Sequence, residues 1–218
     1  ACAAWMAAPP PLPVPSPSWM HWPGPGKVKT LLVLRHSLPQ KGVGADPPLS
    51  PEGLVLARQR FQTASFAQVD AVYASPALRA LQTAQQLGRP VYPDIRLAER
   101  RTGDTTGQDA SFWAHQYAAP DFKNPDGESL NETRVRMTAC IREILANLPD
   151  GQTALIVTHA TALCSWLMGF CEVTVLDAER KLRRVTFQGE AVLEGAIEPV
   201  GGVEVRVEGN EPVGIVSL

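Results

Sequence analysis

Three short runs, Val28 to Leu34, Ala71 to Ala74 and Thr153 to Thr158, are each succeeded by a segment with helix-forming signals, and this alternation constrains the fold more than any other feature. Runs of this length suit strands buried on both faces. Strand followed by helix, repeated, brings the chain back to the same end of a sheet. The pattern therefore predicts an α/β chain: a single three-layer domain with a mainly parallel central sheet flanked by helices. The helix starts are marked locally. Ser50-Pro51-Glu52 reads as N-cap, first helical residue and acidic first turn, opening a helix to about Phe66. Ser75-Pro76 repeats the start, with Gly88 as the stop after Leu87. Ser129 with Glu132 fits a capping box for a helix to about Leu148, and a last helix follows His159 and ends at Gly169. Residues 89–127 have little periodicity, which in a compact domain marks a segment that carries or covers a site. Val203 to Glu208 alternates strictly and precedes a Gly209-Asn210 turn, so residues from about 185 to 218 read as a β-rich tail.

Composition mainly excludes. A formal net charge of -2 gives no general attraction for nucleic acid or an acidic membrane, and no apolar run approaches a membrane span, so neither is expected as a partner. The four cysteines, Cys2, Cys140, Cys164 and Cys171, match no zinc spacing, and the histidines show no metal-ligand spacing; neither metal nor cofactor is expected. Nothing calls for an oxidising compartment, and the cytoplasm is the expected location. Residues 1–26 stand apart from 27–218, the folded domain: they hold eight of the twenty prolines and three of the five tryptophans, with no Asp, Glu, Lys or Arg. That composition predicts a disordered segment.

Two chemically rich groups, Arg35-His36 and His159, fall at the carboxyl ends of predicted strands, where α/β sheets place ligands. Phosphoryl transfer through a protein nucleophile needs that nucleophile, cations around the phosphoryl oxygens, and an acid for the leaving oxygen. His36 can attack and Arg35 can clamp. Arg79 falls in the first turn of a helix, where the helix dipole also favours an anion.

Leu34-Arg35-His36, Ser75 to Ala84, Leu97-Ala98-Glu99 and Val157-Thr158-His159-Ala160 together resemble, in order and spacing, the histidine phosphatase superfamily, the phosphoglycerate-mutase-like group. The resemblance spans about Val28 to Gly169. It implies that His36 is phosphorylated, that Arg35, Arg79 and His159 bind the phosphoryl group, and that Glu99 is the proton donor. Ser37 stands where the family commonly has glycine, and its hydroxyl is expected to donate to a phosphate oxygen. Leu38-Pro39-Gln40 lacks the residues that true mutases carry, and Ala160 replaces the aspartate of the acid phosphatase branch, leaving Glu99 as the acid. Asp46-Pro47-Pro48-Leu49-Ser50 and Gly127-Glu128-Ser129 are similar to segments of α-ribazole phosphatase and its broad-specificity relatives. The implied activity is metal-independent hydrolysis of a small phosphorylated metabolite through phosphohistidine. Two alternatives stand beside it: a mutase-type phosphotransferase, and a non-catalytic phosphate-ester or phosphoprotein binding module. Two guanidiniums beside His36 are expected to lower its pKa, and the same cations to hold Glu99 ionised until a phosphate dianion binds. Phe112, Trp113 and Tyr117 offer either a stacking surface or packing for the irregular segment.

Overall fold

The computed structural model describes residues 28–218; the Pro-rich segment 1–26 and Cys2 lie outside the described residues. A six-stranded sheet runs through the molecule in the order β3-β2-β4-β1-β8-β9. Its elements are β1 (Val28–Arg35), β2 (Ala71–Ala74), β3 (Tyr92–Pro93), β4 (Thr153–Thr158), β8 (Gly202–Glu208) and β9 (Glu211–Ser217). The first four are mutually parallel, while β8 runs antiparallel to β1 and β9 antiparallel to β8. The helices are α1 (Pro51–Phe61), α2 (Leu78–Gln85), α3 (Ser111–Ala118), α4 (Leu130–Asn147) and α5 (Ala160–Leu167).

Side chains alternate across each strand, so β1 feeds both cores. Leu31 and Val33 pack with Ile156, Val203 and Val205 against α4 and α5, through residues such as Met137, Ile141 and Leu163. Leu32 and Leu34 face the other way with Leu155 and Val157, against Ala57 and Phe61 of α1 and Ala80 and Ala84 of α2. Three layers result, as the strand and helix pattern predicts. The Ser129/Glu132 capping box is formed in both directions, and Ser50 Oγ accepts the Gly53 N–H at 3.0 Å with Pro51 in the first turn.

Three features differ from expectation. The first helix stops at Phe61, and Ala64–Phe66 forms a separate 3-10 turn. The irregular stretch contains α3. The β-rich region starts at Glu172, not near 185, and part of it forms a second, three-stranded antiparallel sheet of β5 (Glu172–Asp177), β6 (Leu182–Phe187) and β7 (Glu190–Gly195). Among the described residues no helix is long and apolar enough to cross a membrane.

Candidate active site

Strand register decides where the chemistry gathers. Leu34 and Ala74 both lie opposite Val157, and Arg35 lies opposite Thr158, so β1, β2 and β4 end level. His36, Ser75 and His159 therefore leave the sheet at one edge. The ladder continues one step into the site, with the His36 N–H donating to Thr158 O and the Ser75 N–H to Val157 O, both at 2.9 Å.

His36 is buried, 7% exposed. Its Nδ1 lies 2.6 Å from Ser37 O and its Nε2 3.2 Å from Arg79 Nε. A carbonyl oxygen can only accept and a guanidinium can only donate. Nδ1 must then carry the proton, leaving Nε2 unprotonated, its lone pair accepting the Arg79 Nε–H. Burial pushes the imidazole down to about 4; Arg79 and Arg35 add to this, and the Ser37 carbonyl opposes it. The direction matches the sequence expectation, but burial outweighs the guanidiniums. His36 is a neutral base at neutral pH.

Arg79, in the first turn of α2, sits between three groups. Beyond His36, its Nη1 lies 3.4 Å from Asp46 Oδ1 and its Nη2 3.4 Å from His159 Nδ1. The Asp46 carboxylate also accepts the Leu78 N–H at 3.0 and 3.2 Å, so the loop after β1 serves the open start of α2 and steadies its arginine. Ser75 is not the N-cap of this helix, which begins at Leu78. Its Oγ instead lies 2.8 Å from Nε2 of His159, a fully buried imidazole that burial, and after it His36, push down to about 2. Arg35 is half-buried, its Nη1 donating to Ile197 O at 2.6 Å.

Ser37 departs from expectation. Its hydroxyl donates to Gly53 O at 2.7 Å, its N–H donates to Thr83 Oγ1 at 2.9 Å, and it is wholly buried. The side chain therefore faces α1 and is not available to a phosphate. Its contribution is the carbonyl that orients His36. Gly53 belongs to the same arrangement, since a Cβ there would run into Leu38 O. Gly53→Ala is expected to shift this loop, lowering stability by about 1–3 kcal/mol and weakening phosphate binding, measured by thermal unfolding with and without inorganic phosphate.

Glu99 lies where a short 3-10 turn, Ile95–Leu97, ends. Its carboxylate accepts three backbone N–H bonds, from Arg100 (2.8 Å), Thr161 (3.2 Å) and Ala162 (2.8 Å). The last two are first-turn donors of α5, which no side chain at its N-cap serves. These donors and Arg79 favour the ionised form, yet burial outweighs them and pushes the carboxyl up. The expectation that nearby cations dominate is corrected: desolvation does, before any substrate binds. The segment is pinned by the Thr158 hydroxyl, donating to Leu97 O at 2.7 Å, and by Arg136 of α4. Arg136 donates to the carbonyls of Arg96, Ala98 and Glu99 at 2.7, 2.8 and 3.2 Å, and pairs with Glu128 at 2.8 Å. A cavity of about 560 Å³ opens beside Arg35 and Glu99, walled by Phe112, Trp113 and the β5–β6 turn.

Five of the six sequence-predicted residues thus converge. Asp46 and Glu128 lie in segments similar to those of α-ribazole phosphatase, and Ser75 and Thr83 in the Ser75 to Ala84 stretch, and sequence alone gives none of them a role in the site. Arg136 carries no local signal, because apart from Glu128 its partners are backbone carbonyls about 40 residues away.

The low imidazole pKa values have a stability consequence. Each histidine is neutral when folded but titrates near 6.5 when unfolded, so the unfolded chain binds more protons below that pH. Their contribution is complete above about 6.5 and is lost on acidification, by up to about 1.4 kcal/mol per pH unit per group. Glu99, raised when folded, acts in the opposite sense above its unfolded value. Comparing thermal unfolding of the parent and His36→Asn between pH 7 and 4 isolates one group. The parent is expected to lose more stability than the variant on acidification, with the difference growing below about 6.5.

The family model described as histidine phosphatase superfamily (branch 1) matches residues 31–184. The probable phosphoglycerate mutase GpmB of Cronobacter sakazakii is 33% identical over 156 residues, covering 64% of this chain and 70% of that protein. Its counterpart from Enterobacter sp. (strain 638) is 31% identical over the same shares. Among solved structures, mycobacterial glucosyl-3-phosphoglycerate phosphatase superposes with a TM-score of 0.63 at 18% identity, covering 87% of this chain and 97% of that one. A Bacillus anthracis phosphoglycerate mutase gives 0.62 at 15% identity, covering 89% and 94%. These two likenesses concern the fold.

Proposed function

The chain belongs to the histidine phosphatase superfamily, branch 1, and we propose that it is a metal-independent phosphomonoesterase acting on a small phosphorylated metabolite through phosphohistidine at His36. The observation that carries this reading is the unprotonated Nε2 of a neutral His36, facing Arg79, with Glu99 raised toward its protonated form beside the adjoining cavity.

In the first step Nε2 attacks phosphorus in line, the P–O bond to the alcohol breaks, and the departing oxygen takes the proton of Glu99. Arg79 Nε exchanges its bond to Nε2 for one to a phosphoryl oxygen. Arg35, Arg79 and His159 hold the equatorial oxygens as charge spreads over them. His159 can carry a second proton once the phosphoryl dianion supplies the charge to offset it. In the second step water gives a proton to Glu99 and attacks phosphorus, and the P–N electron pair returns to Nε2. Inorganic phosphate leaves. The three described cysteines are free thiols, compatible with a reducing cytoplasmic setting.

The names of the curated relatives favour a second reading, in which the phosphoryl group returns to another hydroxyl of the substrate. Leu38-Pro39-Gln40 speaks against it, lacking the residues that mutases carry after the histidine. The test is turnover of phosphomonoesters in EDTA, with released phosphate and alcohol both quantified and the enzyme quenched in base to preserve phosphohistidine. Equal release of phosphate and alcohol, with label on His36, is expected. Isomerised phosphoester without free phosphate would establish the mutase, and absence of both turnover and label would leave a binding module.

A further inference from the structure

The cavity wall beyond the phosphoryl site holds two buried arginines whose tips meet no carboxylate. Arg183, on β6, is 3% exposed, and its Nη1 donates to the Tyr117 hydroxyl at 3.0 Å and to Cys164 Sγ at 2.8 Å. Its guanidinium lies over the Trp113 ring, 4.8 Å from the centroid. Arg100 is 5% exposed and donates to Glu128 O and Gln116 Oε1. All four hydrogen-bonding partners are uncharged. Among the described residues three buried side-chain nitrogen or oxygen atoms have no partner, and two of them are Arg183 Nε and Arg100 Nη2.

Burying a guanidinium that has no carboxylate among its hydrogen-bonding partners is costly, and an unmet N–H adds to the cost; Glu99 acts on both arginines only through space. Here two such groups share one cavity, which in all presents five cationic and three acidic side chains. The exposed pair Arg180 and Lys181, on the turn between β5 and β6, lines the same cavity. One edge of Arg183 is fixed by Tyr117 and Cys164 and one face by Trp113, so its orientation is set before any ligand arrives. The volume suits a small metabolite rather than a polymer.

We propose that the alcohol released by this enzyme carries a second anionic group, a carboxylate or a further phosphate, and that Arg183, with Arg100, is the specificity-determining seat for it. This rests on the phosphatase reading of the same site and adds the class of substrate. Trp113 then serves as a backing for Arg183 rather than as a stacking surface for a base.

The test compares kcat/KM within matched pairs: 3-phosphoglycerate against glycerol 3-phosphate, and propane-1,3-diol bisphosphate against its monophosphate. The parent is expected to prefer the anionic member of at least one pair by roughly 10- to 100-fold, the range of a charged hydrogen bond, and the favoured pair identifies the group. Arg183→Gln, checked for folding by thermal unfolding, is expected to bring that ratio close to one. The surface double variant Arg180→Gln/Lys181→Gln is expected to lower it only a few-fold, through weaker attraction at the rim. Equal kcat/KM within both pairs in the parent overturns the proposal while leaving the phosphatase reading intact. So does a preference that Arg183→Gln retains in folded protein. If no phosphoester is turned over and His36 takes no label, both readings fall together.

Discussion

Replacing His36 by alanine is expected to lower kcat for an aryl phosphate by on the order of 10⁴- to 10⁶-fold, since removing a covalent nucleophile removes the whole two-step route. On the proposed mechanism Arg35, Arg79 and His159 would still bind the dianion and supply the residual rate, so inorganic phosphate is expected still to protect the variant against heat. Labelling must vanish with turnover. Activity retained within tenfold of the parent would remove His36 from the chemistry. The free imidazole offers a further check by ¹⁵N NMR. With its pKa near 4, His36 should keep the neutral, Nδ1-protonated signature at pH 5, where an ordinary histidine is charged. A titration midpoint near 6.5 would contradict the burial argument.

Glu99→Gln has the second largest expected effect, and its size should depend on the leaving group. An alkyl alkoxide must be protonated as it departs, so alkyl phosphates should lose roughly 10²- to 10⁴-fold in kcat. A nitrophenolate leaves without help, and its formation should be nearly unaffected in the first turnover. Water still has to be activated in the second step, so the variant should show a burst of one equivalent of nitrophenolate followed by slow turnover. Its carboxyl is raised by burial, so as an acid it loses its proton as pH rises. The alkaline limb of kcat should therefore be present in the parent and absent in Glu99→Gln. The change also weakens the carboxylate's hold on the first turn of α5, at a cost of about 1 kcal/mol. A uniform loss across leaving groups, with no burst, would assign Glu99 that capping role alone.

The parts of this molecule legible in its sequence are those whose signals are local. β1, β2 and β4 announce themselves by short apolar runs, and α1 and α4 by caps a few residues long. The five converging site residues are legible for the same reason: each sits where a strand or turn ends or, for Arg79, where a helix begins, in a short stretch resembling one family. What stayed hidden depends on partners distant in the chain. Helix α3 joins the core through Trp113 and Tyr117, and its sequence lacks a marked apolar stripe. β5 to β7 form a sheet only by pairing with one another, and β8 finds its place against β1 across about 170 residues. Ser37 shows the same rule within the site. Serine at that position reads as a phosphate donor until Gly53 of α1 arrives to take its hydroxyl. Asp46, Ser75 and Arg136 are equally ordinary in sequence and acquire their roles only through the fold.

The common edge formed by β1, β2 and β4 bears on how the protein comes into being. Residues 36, 75 and 159 become neighbours only when three strands spread over more than a hundred residues of chain have paired in one register, and β1 must also accept β8 from near the carboxyl terminus. Such non-local pairings form late, because loop closure has to precede the contacts that reward it. A chain emerging from the ribosome can thus hold formed helices and still have no constellation capable of touching a phosphate. The candidate site is complete only when the central sheet is, so any competence for phosphoryl chemistry arises at the end of folding and not during it.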